Sequence, residues 1–236
     1  KYTQPALLTA SCAILKAVEA SGIRADFVAG LSLGEYCALV ASDVMSFEDA
    51  VKVVRQRGIL MQDTVPAGEG AMSAVLGMKK EAIEAVLPDV EGIVTIANYN
   101  CPGQIVISGS IEGINKACEL MKAAGAKRAL PLKVGGAFHS PLMNPAKVEL
   151  EAAINATEFH APKCPVYQNV DALPHTDPEE IKKNLVAQLT ASVRWTQSVK
   201  NMIADGATDF TECGPGAVLQ GLIKKIDSTV SAHGIA

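Results

Sequence analysis

The stretch Phe27-Val28-Ala29-Gly30-Leu31-Ser32-Leu33-Gly34-Glu35-Tyr36 decides how the rest of the chain is read. Residues 27–30 form an apolar run suited to a short strand, and residues 33–41 suit a helix. Between them lies G-x-S-x-G. A sharp strand-to-helix turn puts a non-glycine residue in a strained conformation, and small neighbours make room for the crossing chain. The Ser32 hydroxyl is then expected to project into a cleft at which the new helix aims its free N–H groups. The backbone N–H of Leu33 can bind the oxyanion formed when Ser32 attacks an acyl carbonyl. The same residues also fit a plain glycine-rich turn with a helix-capping serine.

Upstream, residues 5–21 are nearly all apolar, with Pro5 suited to a first helical turn and Gly22 to a helix end. They are expected to form a helix buried on most sides. Downstream, Ser46-Phe47-Glu48-Asp49 has capping-box spacing for a third helix, with Asp49 where Glu or Gln is more usual. The pattern then changes. Strand-like runs at 71–76, 93–98, 104–108 and 127–134 alternate with helical runs at 79–86 and 111–124. The order β-α-β-β-α-β is that of a ferredoxin-like unit. It is expected as a small lobe, residues 69–134, inserted into a large catalytic lobe of residues 1–68 and 135–236. The large lobe continues with helices at 141–156, 179–189 and 194–205, strands at 166–167 and 209–213, and a Pro/Asp-rich loop at 171–178. A final helix follows Gly214-Pro215-Gly216. The expected fold class is α/β: a hydrolase-like core with a short parallel sheet and that inserted ferredoxin-like lobe.

With 236 residues the chain can bury a sizeable core, as one larger domain or two unequal lobes. Although 49% of residues are hydrophobic, no run reaches the length that crosses a bilayer, and the first residues show no secretory leader. There is no initiator methionine, so the chain is expected to begin inside a longer protein. A net charge of −4 argues against a nucleic-acid scaffold, though small basic patches could receive a phosphate or an acidic protein. The six cysteines are scattered without a C-x-x-C pair, which fits reduced core thiols in the cytoplasm and suggests no zinc site.

Two further residues stand out. On the helix after Ser46, the residues Ala50, Val53, Val54, Leu60 and Met61 share one side, and Arg57 falls in the middle of them. An inward guanidinium needs an anionic partner, either an internal Asp or Glu or a ligand, and Gly58 permits close approach. Of four histidines, His175 and His233 are expected at the surface, and His160 packs or caps before Ala161-Pro162. His139, after a strand and Gly135-Gly136, sits where an α/β fold presents reactive side chains. It could equally be a satisfied structural histidine.

Gly30-Leu31-Ser32-Leu33-Gly34-Glu35-Tyr36 resembles the active-serine motif of the malonyl-CoA:acyl carrier protein transacylases and related acyltransferase domains. Leu31 stands where most members have His. The resemblance extends from Thr3-Gln4-Pro5-Ala6-Leu7 to Glu212-Cys213-Gly214-Pro215-Gly216. It implies Ser32 as nucleophile, His139 as general base, and Arg57, in Arg57-Gly58, as the fork that holds malonate's free carboxylate. It also implies that the His139 ring is oriented by the main-chain carbonyl of Gln188, that Asn169 braces the same loop, and that Gln4 lies near the cleft floor. Phe138, in Ala137-Phe138-His139, accompanies malonyl choice over methylmalonyl-type choice. Asn100 and Gln104 match a family sequence at the cleft edge, where they could bind substrate or satisfy a turn. Lys127-Arg128 stands where basic residues meet phosphates of CoA or the carrier, or else is a solvated pair. Members begin earlier, with a strand and a G-Q-G glutamine that supplies a second oxyanion donor, so this chain is read as trimmed from a longer one, the alternative being a fragment.

The resemblance implies a cytoplasmic, monomeric transferase with malonyl-CoA and acyl carrier protein as partners, neither nucleic acid nor membrane, and no metal or redox cofactor. The rivals are a polyketide acyltransferase domain with another extender unit, a G-x-S-x-G esterase, and a non-catalytic acyl-CoA-binding or scaffold role. An esterase would usually place an Asp or Glu beside the histidine and has no need of an inward Arg57.

Overall fold

Short-range signals place most of the elements where they are expected. The computed structural model describes residues 2–66 and 68–235; Lys1, Ala67 and Ala236, all assigned to the expected large lobe, lie outside the described residues. The chain runs α1 (Thr3–Ala20), β1 (Val28–Ala29), α2 (Leu33–Ala41), α3 (Phe47–Asp63), β2 (Gly70–Leu76), α4 (Lys80–Val86) and β3 (Val94–Cys101). It continues β4 (Gln104–Ser110), α5 (Ile111–Ala123), β5 (Arg128–Pro131), α6 (Asn144–Asn155), β6 (Val166–Tyr167), β7 (Pro174–His175) and α7 (Pro178–Ala187). It closes with α8 (Trp195–Ala204), β8 (Asp209–Cys213), α9 (Val218–Ile226) and β9 (Ser231–Ile235). Mixed α/β architecture follows directly.

Three sheets form among the described residues. β1 runs parallel to β6, with Val28 opposite Val166 and Ala29 opposite Tyr167, and β7 adds antiparallel to β6. β8 and β9 pair in parallel. The third sheet has the order β3-β4-β2-β5 with every pairing antiparallel. One of its faces carries Val75, Ile96, Ile105 and Ile107 against Ile83 of α4 and Ile114, Ala117 and Met121 of α5. Its other face carries Met72, Ala97 and Val106, and Phe138 packs there. Phe138 also touches the main core, built from Leu8, Tyr36, Leu39, Val53, Val54, Met61, Leu150 and Leu185 among others. One aromatic ring therefore joins the four-stranded sheet to the helices beneath the G-x-S-x-G turn.

Ser46 caps α3 as its spacing predicts: its Oγ accepts the Asp49 N–H at 3.1 Å, and it donates to the Asp49 carboxylate at 2.9 Å. Arg57 lies on the buried side of that helix with Ala50, Val53, Val54, Gly58 and Met61. Several expectations need correction. α1 is not buried on most sides; only Leu8, Cys12 and Val18 are buried, because it leans on α2 and α3 along one face and Leu7 remains 39% exposed. The strand expected at 127–134 is only four residues long, since β2 offers it partners over Ser73–Leu76 alone. The loop at 171–178 contains β7, and His175 is buried rather than exposed. Its ring nitrogens meet Asp171 at 2.8 Å and Glu180 at 3.2 Å, partners that let a polar ring leave water. All six cysteines are free thiols, three of them buried.

Candidate active site

Gly30 makes the turn possible. A Cβ there would stand 1.9 Å from the carbonyl carbon and oxygen of Gly34, so any side chain would collide with backbone. Gly34 differs: a Cβ there meets nothing within 4 Å among the described residues. Ser32 between them has φ 54° and ψ −103°, a region that costs a residue with a side chain about 1–3 kcal/mol. Its hydroxyl makes no capping bond to α2, so the helix-capping reading does not describe it. Instead Oγ lies 2.7 Å from His139 Nε2 and accepts from Arg57 Nη2 at 3.0 Å.

His139 comes from far along the chain and is also held at positive φ, 54°. Its Nδ1 lies 2.9 Å from the Gln188 main-chain oxygen. A carbonyl only accepts, so Nδ1 carries the hydrogen and Nε2 is left bare toward Ser32. Gln188 ends α7, where carbonyls lack intrahelical partners, which is why its oxygen is free to orient a ring. Burial first, and the Arg57 cation second, push the His139 pKa down to about 4. The imidazole is therefore neutral at physiological pH and able to take a proton.

Arg57 is 1% exposed. Nη1 donates to Gln4 Oε1 at 2.6 Å and Nη2 to Gln188 Oε1 at 3.0 Å, while the Tyr36 ring lies 5.4 Å from the guanidinium carbon. These partners are uncharged. Among the described residues no ion pair includes Arg57, and its Nε is buried without a hydrogen-bond partner. An internal Asp or Glu in direct contact, the alternative that the helical pattern left open, is absent among those residues.

The structure thus brings Ser32, His139, Arg57, Gln188, Gln4 and Asn169 together. Asn100, Gln104 and Arg128 stand on the four-stranded sheet instead. Asn100 Oδ1 is buried without a partner, Gln104 lies 4.0 Å from Cys101 Sγ across the β3–β4 hairpin, and Arg128 is exposed at the start of β5. None of these three hydrogen-bonds Ser32, His139 or Arg57. The side chain of Gln188 was not foreseen; beside meeting Arg57 it donates to the Ser32 carbonyl oxygen at 3.0 Å. Glu35 was not foreseen either. It is fully buried in the first turn of α2, and burial raises its pKa to about 7 against hydrogen bonds that lower it. The available signal was an acidic residue in the first turn of an otherwise apolar helix.

A hydroxyl beside a bare imidazole nitrogen, at the start of a helix and next to a cation, can carry acyl transfer through a serine ester. This is the chemistry of the serine acyl-transfer class on an α/β fold. Within that class the chain belongs to the acyl transferase domain family, whose model matches residues 1–233. It is 52% identical over 227 residues to the malonyl CoA-acyl carrier protein transacylase of Bacillus subtilis (strain 168), covering 95% of this chain and 72% of the relative. Among solved structures, it is similar to an acyl carrier protein S-malonyltransferase from Vibrio cholerae, with a TM-score of 0.96 and 46% identity, covering 99% of this chain and 77% of that one. Another is a malonyl-transacylase in complex with its type II polyketide acyl-carrier protein, with a TM-score of 0.96 and 44% identity, covering 99% of this chain and 76% of the other.

Proposed function

We propose that this chain transfers a malonyl group from malonyl-CoA to the pantetheine thiol of an acyl carrier protein, in fatty-acid biosynthesis, through a malonyl-Ser32 ester. Relatives at about half identity over nearly all of the chain carry that activity in their names. Ser32 donates its proton to His139 Nε2 as Oγ attacks the thioester carbonyl carbon. Arg57 Nη2, 3.0 Å from Oγ, favours the developing alkoxide, and the Leu33 N–H, lacking an acceptor within the helix, receives the oxyanion. When the C–S bond breaks, His139 returns the proton to the departing CoA sulfur. In the second half His139 takes the proton of the pantetheine thiol, the sulfur attacks the ester carbonyl, and the C–O bond breaks with the proton returning to Oγ.

The observation that carries the substrate is Arg57, a buried cation that makes no direct ion pair among the described residues and lies 3.0 Å from the attacking oxygen. Malonyl supplies the missing carboxylate, and its three-carbon length lets one end sit on Oγ while the other meets the guanidinium. Phe138, next to His139 and packed against the four-stranded sheet, is assigned to favouring malonyl over methylmalonyl-type groups. Asn100, Gln104 and Arg128 are assigned to binding pantetheine, CoA or carrier at the sheet's edge. The four-stranded antiparallel sheet with α4 and α5 is read as a ferredoxin-like lobe, residues 69–134, on a hydrolase-like core of residues 1–68 and 135–236. We take the chain to work in the cytoplasm as a monomer without metal or redox cofactor; no helix among the described residues is long and apolar enough to cross a membrane.

The test is labelled malonyl-CoA with intact mass on the parent, Ser32→Ala and Arg57→Ala. The parent is expected to gain one malonyl group and Ser32→Ala none. Label on Ser32→Ala overturns the nucleophile.

A further inference from the structure

The strained turn is held by bonds that the acyl-transfer steps do not use. Asn169, fully buried, clasps both sides of it: Oδ1 accepts the Ser32 N–H at 2.6 Å, and Nδ2 donates to the Gly30 carbonyl at 2.7 Å. Asn169 is in turn held by Glu35, from inside the motif itself. One oxygen of that carboxylate accepts the Asn169 backbone N–H at 2.8 Å, and the other accepts from Gln168 Nε2 at 3.1 Å. Glu35 lies in the first turn of α2, where the helix N-terminus favours negative charge. A loop 134 residues away is thereby tied to the helix that begins at the nucleophile.

We infer that Glu35 is a positioning residue: its carboxylate fixes Asn169 so that Asn169 holds the Ser32 backbone and keeps Oγ between His139 and Arg57. This rests on the reading of Ser32 as nucleophile. Donors converge on both Glu35 oxygens, and the ionised carboxylate, the form above its pKa near 7, satisfies them; a glutamine would turn an NH2 group toward one. Glu35 makes no hydrogen bond to the reacting atoms or to the Arg57 fork, so its loss acts chiefly on the rate of ester formation, with a smaller effect on malonyl-CoA binding through its charge near Arg57.

The experiment is single-turnover malonyl-enzyme formation, followed by intact mass across malonyl-CoA concentrations. It uses the parent, Ser32→Ala, the isosteric Glu35→Gln, Asn169→Ala and the double variant Glu35→Gln/Asn169→Ala, each checked for folding by circular dichroism. Glu35→Gln is expected to slow ester formation about tenfold, with half-saturation moved less than about threefold. The double variant is expected to load no more slowly than Asn169→Ala alone, because both changes cut one tie. Gln168→Leu removes a donor to Glu35 without touching the turn and serves if Glu35→Gln does not fold; it is expected to slow the same step about threefold. A parental rate in either folded variant, a loss confined to half-saturation, or slowings that multiply in the double variant overturns the inference. Label on Ser32→Ala would instead remove the nucleophile reading, whatever Glu35 does.

Discussion

Arg57 carries its charge into a place where its hydrogen-bond partners are neutral, and on the proposed function a substrate carboxylate relieves that cost. Arg57→Ala is expected to lower kcat/KM for malonyl-CoA by on the order of 10²-fold or more, while acetyl-CoA gains relative to it. Arg57→Lys, a point charge without the planar fork, is expected between the two. Competition between labelled malonyl- and acetyl-CoA reads both; unchanged preference removes the carboxylate clamp. His139 sets the pH dependence at the same scale. Its pKa near 4 means that the bare Nε2 persists well below neutrality. The acid limb of kcat/KM therefore falls near pH 4 rather than near the ordinary value of 6.5, and a stopped-flow pH profile checks it. The residues of that site were legible as candidates because each sits in a local pattern, Ser32 between glycines, Arg57 on an apolar stripe and His139 after a strand and two glycines, and the family resemblance chose among their readings. Gln188 was legible only as a carbonyl, since nothing local shows that its amide would reach Arg57 and Ser32 from the end of α7.

At the scale of elements, the turn from β1 into α2 exists because Gly30 lets two stretches of backbone pass in contact. Gly30→Ala would force a Cβ to within 1.9 Å of Gly34 backbone, which cannot yield as a flexible side chain can. A loss of roughly 3 kcal/mol or more is expected, read as a fall of about 10 °C in Tm together with loss of malonyl loading. α2 and α7 meet this turn from opposite ends. The first brings its unpaired N–H groups to Ser32 and the second its unpaired carbonyl to His139, so both helix termini find partners at the site. Helix and strand boundaries followed local signals closely where a cap or glycine marked them, as at Ser46 and Gly125. β9 escaped notice: Ser231-Ala232-His233-Gly234-Ile235 has little strand character of its own, and its conformation follows from pairing with β8.

Across the whole molecule, Phe138 couples the four-stranded sheet to the helical core, touching both. Phe138→Ala is expected to cost about 2–3 kcal/mol in urea unfolding, with a weaker grip on the acyl chain showing as lost discrimination against α-methylated malonyl groups. An unfolding midpoint equal to the parent's would show that the ring does not join the two parts. Global stability also carries the imprint of the site. The folded pKa of His139 lies below 6.5, so as pH falls from 6.5 toward 4 the unfolded chain takes up the proton first and folding is penalised. Glu35 works in the opposite sense: its folded pKa near 7 exceeds the ordinary 4.5, so stability rises as pH falls through that window. Comparing the parent with His139→Gln cancels the Glu35 contribution. Between pH 7 and 5 the parent is expected to lose on the order of 2 kcal/mol relative to the variant, by urea titration at each pH.

The amino-acid sequence by itself determined the alternation of helices and strands, the strand-to-helix turn at Ser32 and the inward face of Arg57, because each depends on residues within a turn or two of one another; the family resemblance, not local pattern, singled out His139 among four histidines. Tertiary structure alone decided that Glu35 and the Gln188 amide close around that turn, that His175 is buried, and that β9 is a strand. Those outcomes rest on contacts between residues many positions apart, where hydrogen-bond donors and acceptors must be satisfied by whatever the fold brings near, and no local pattern records which partner that will be.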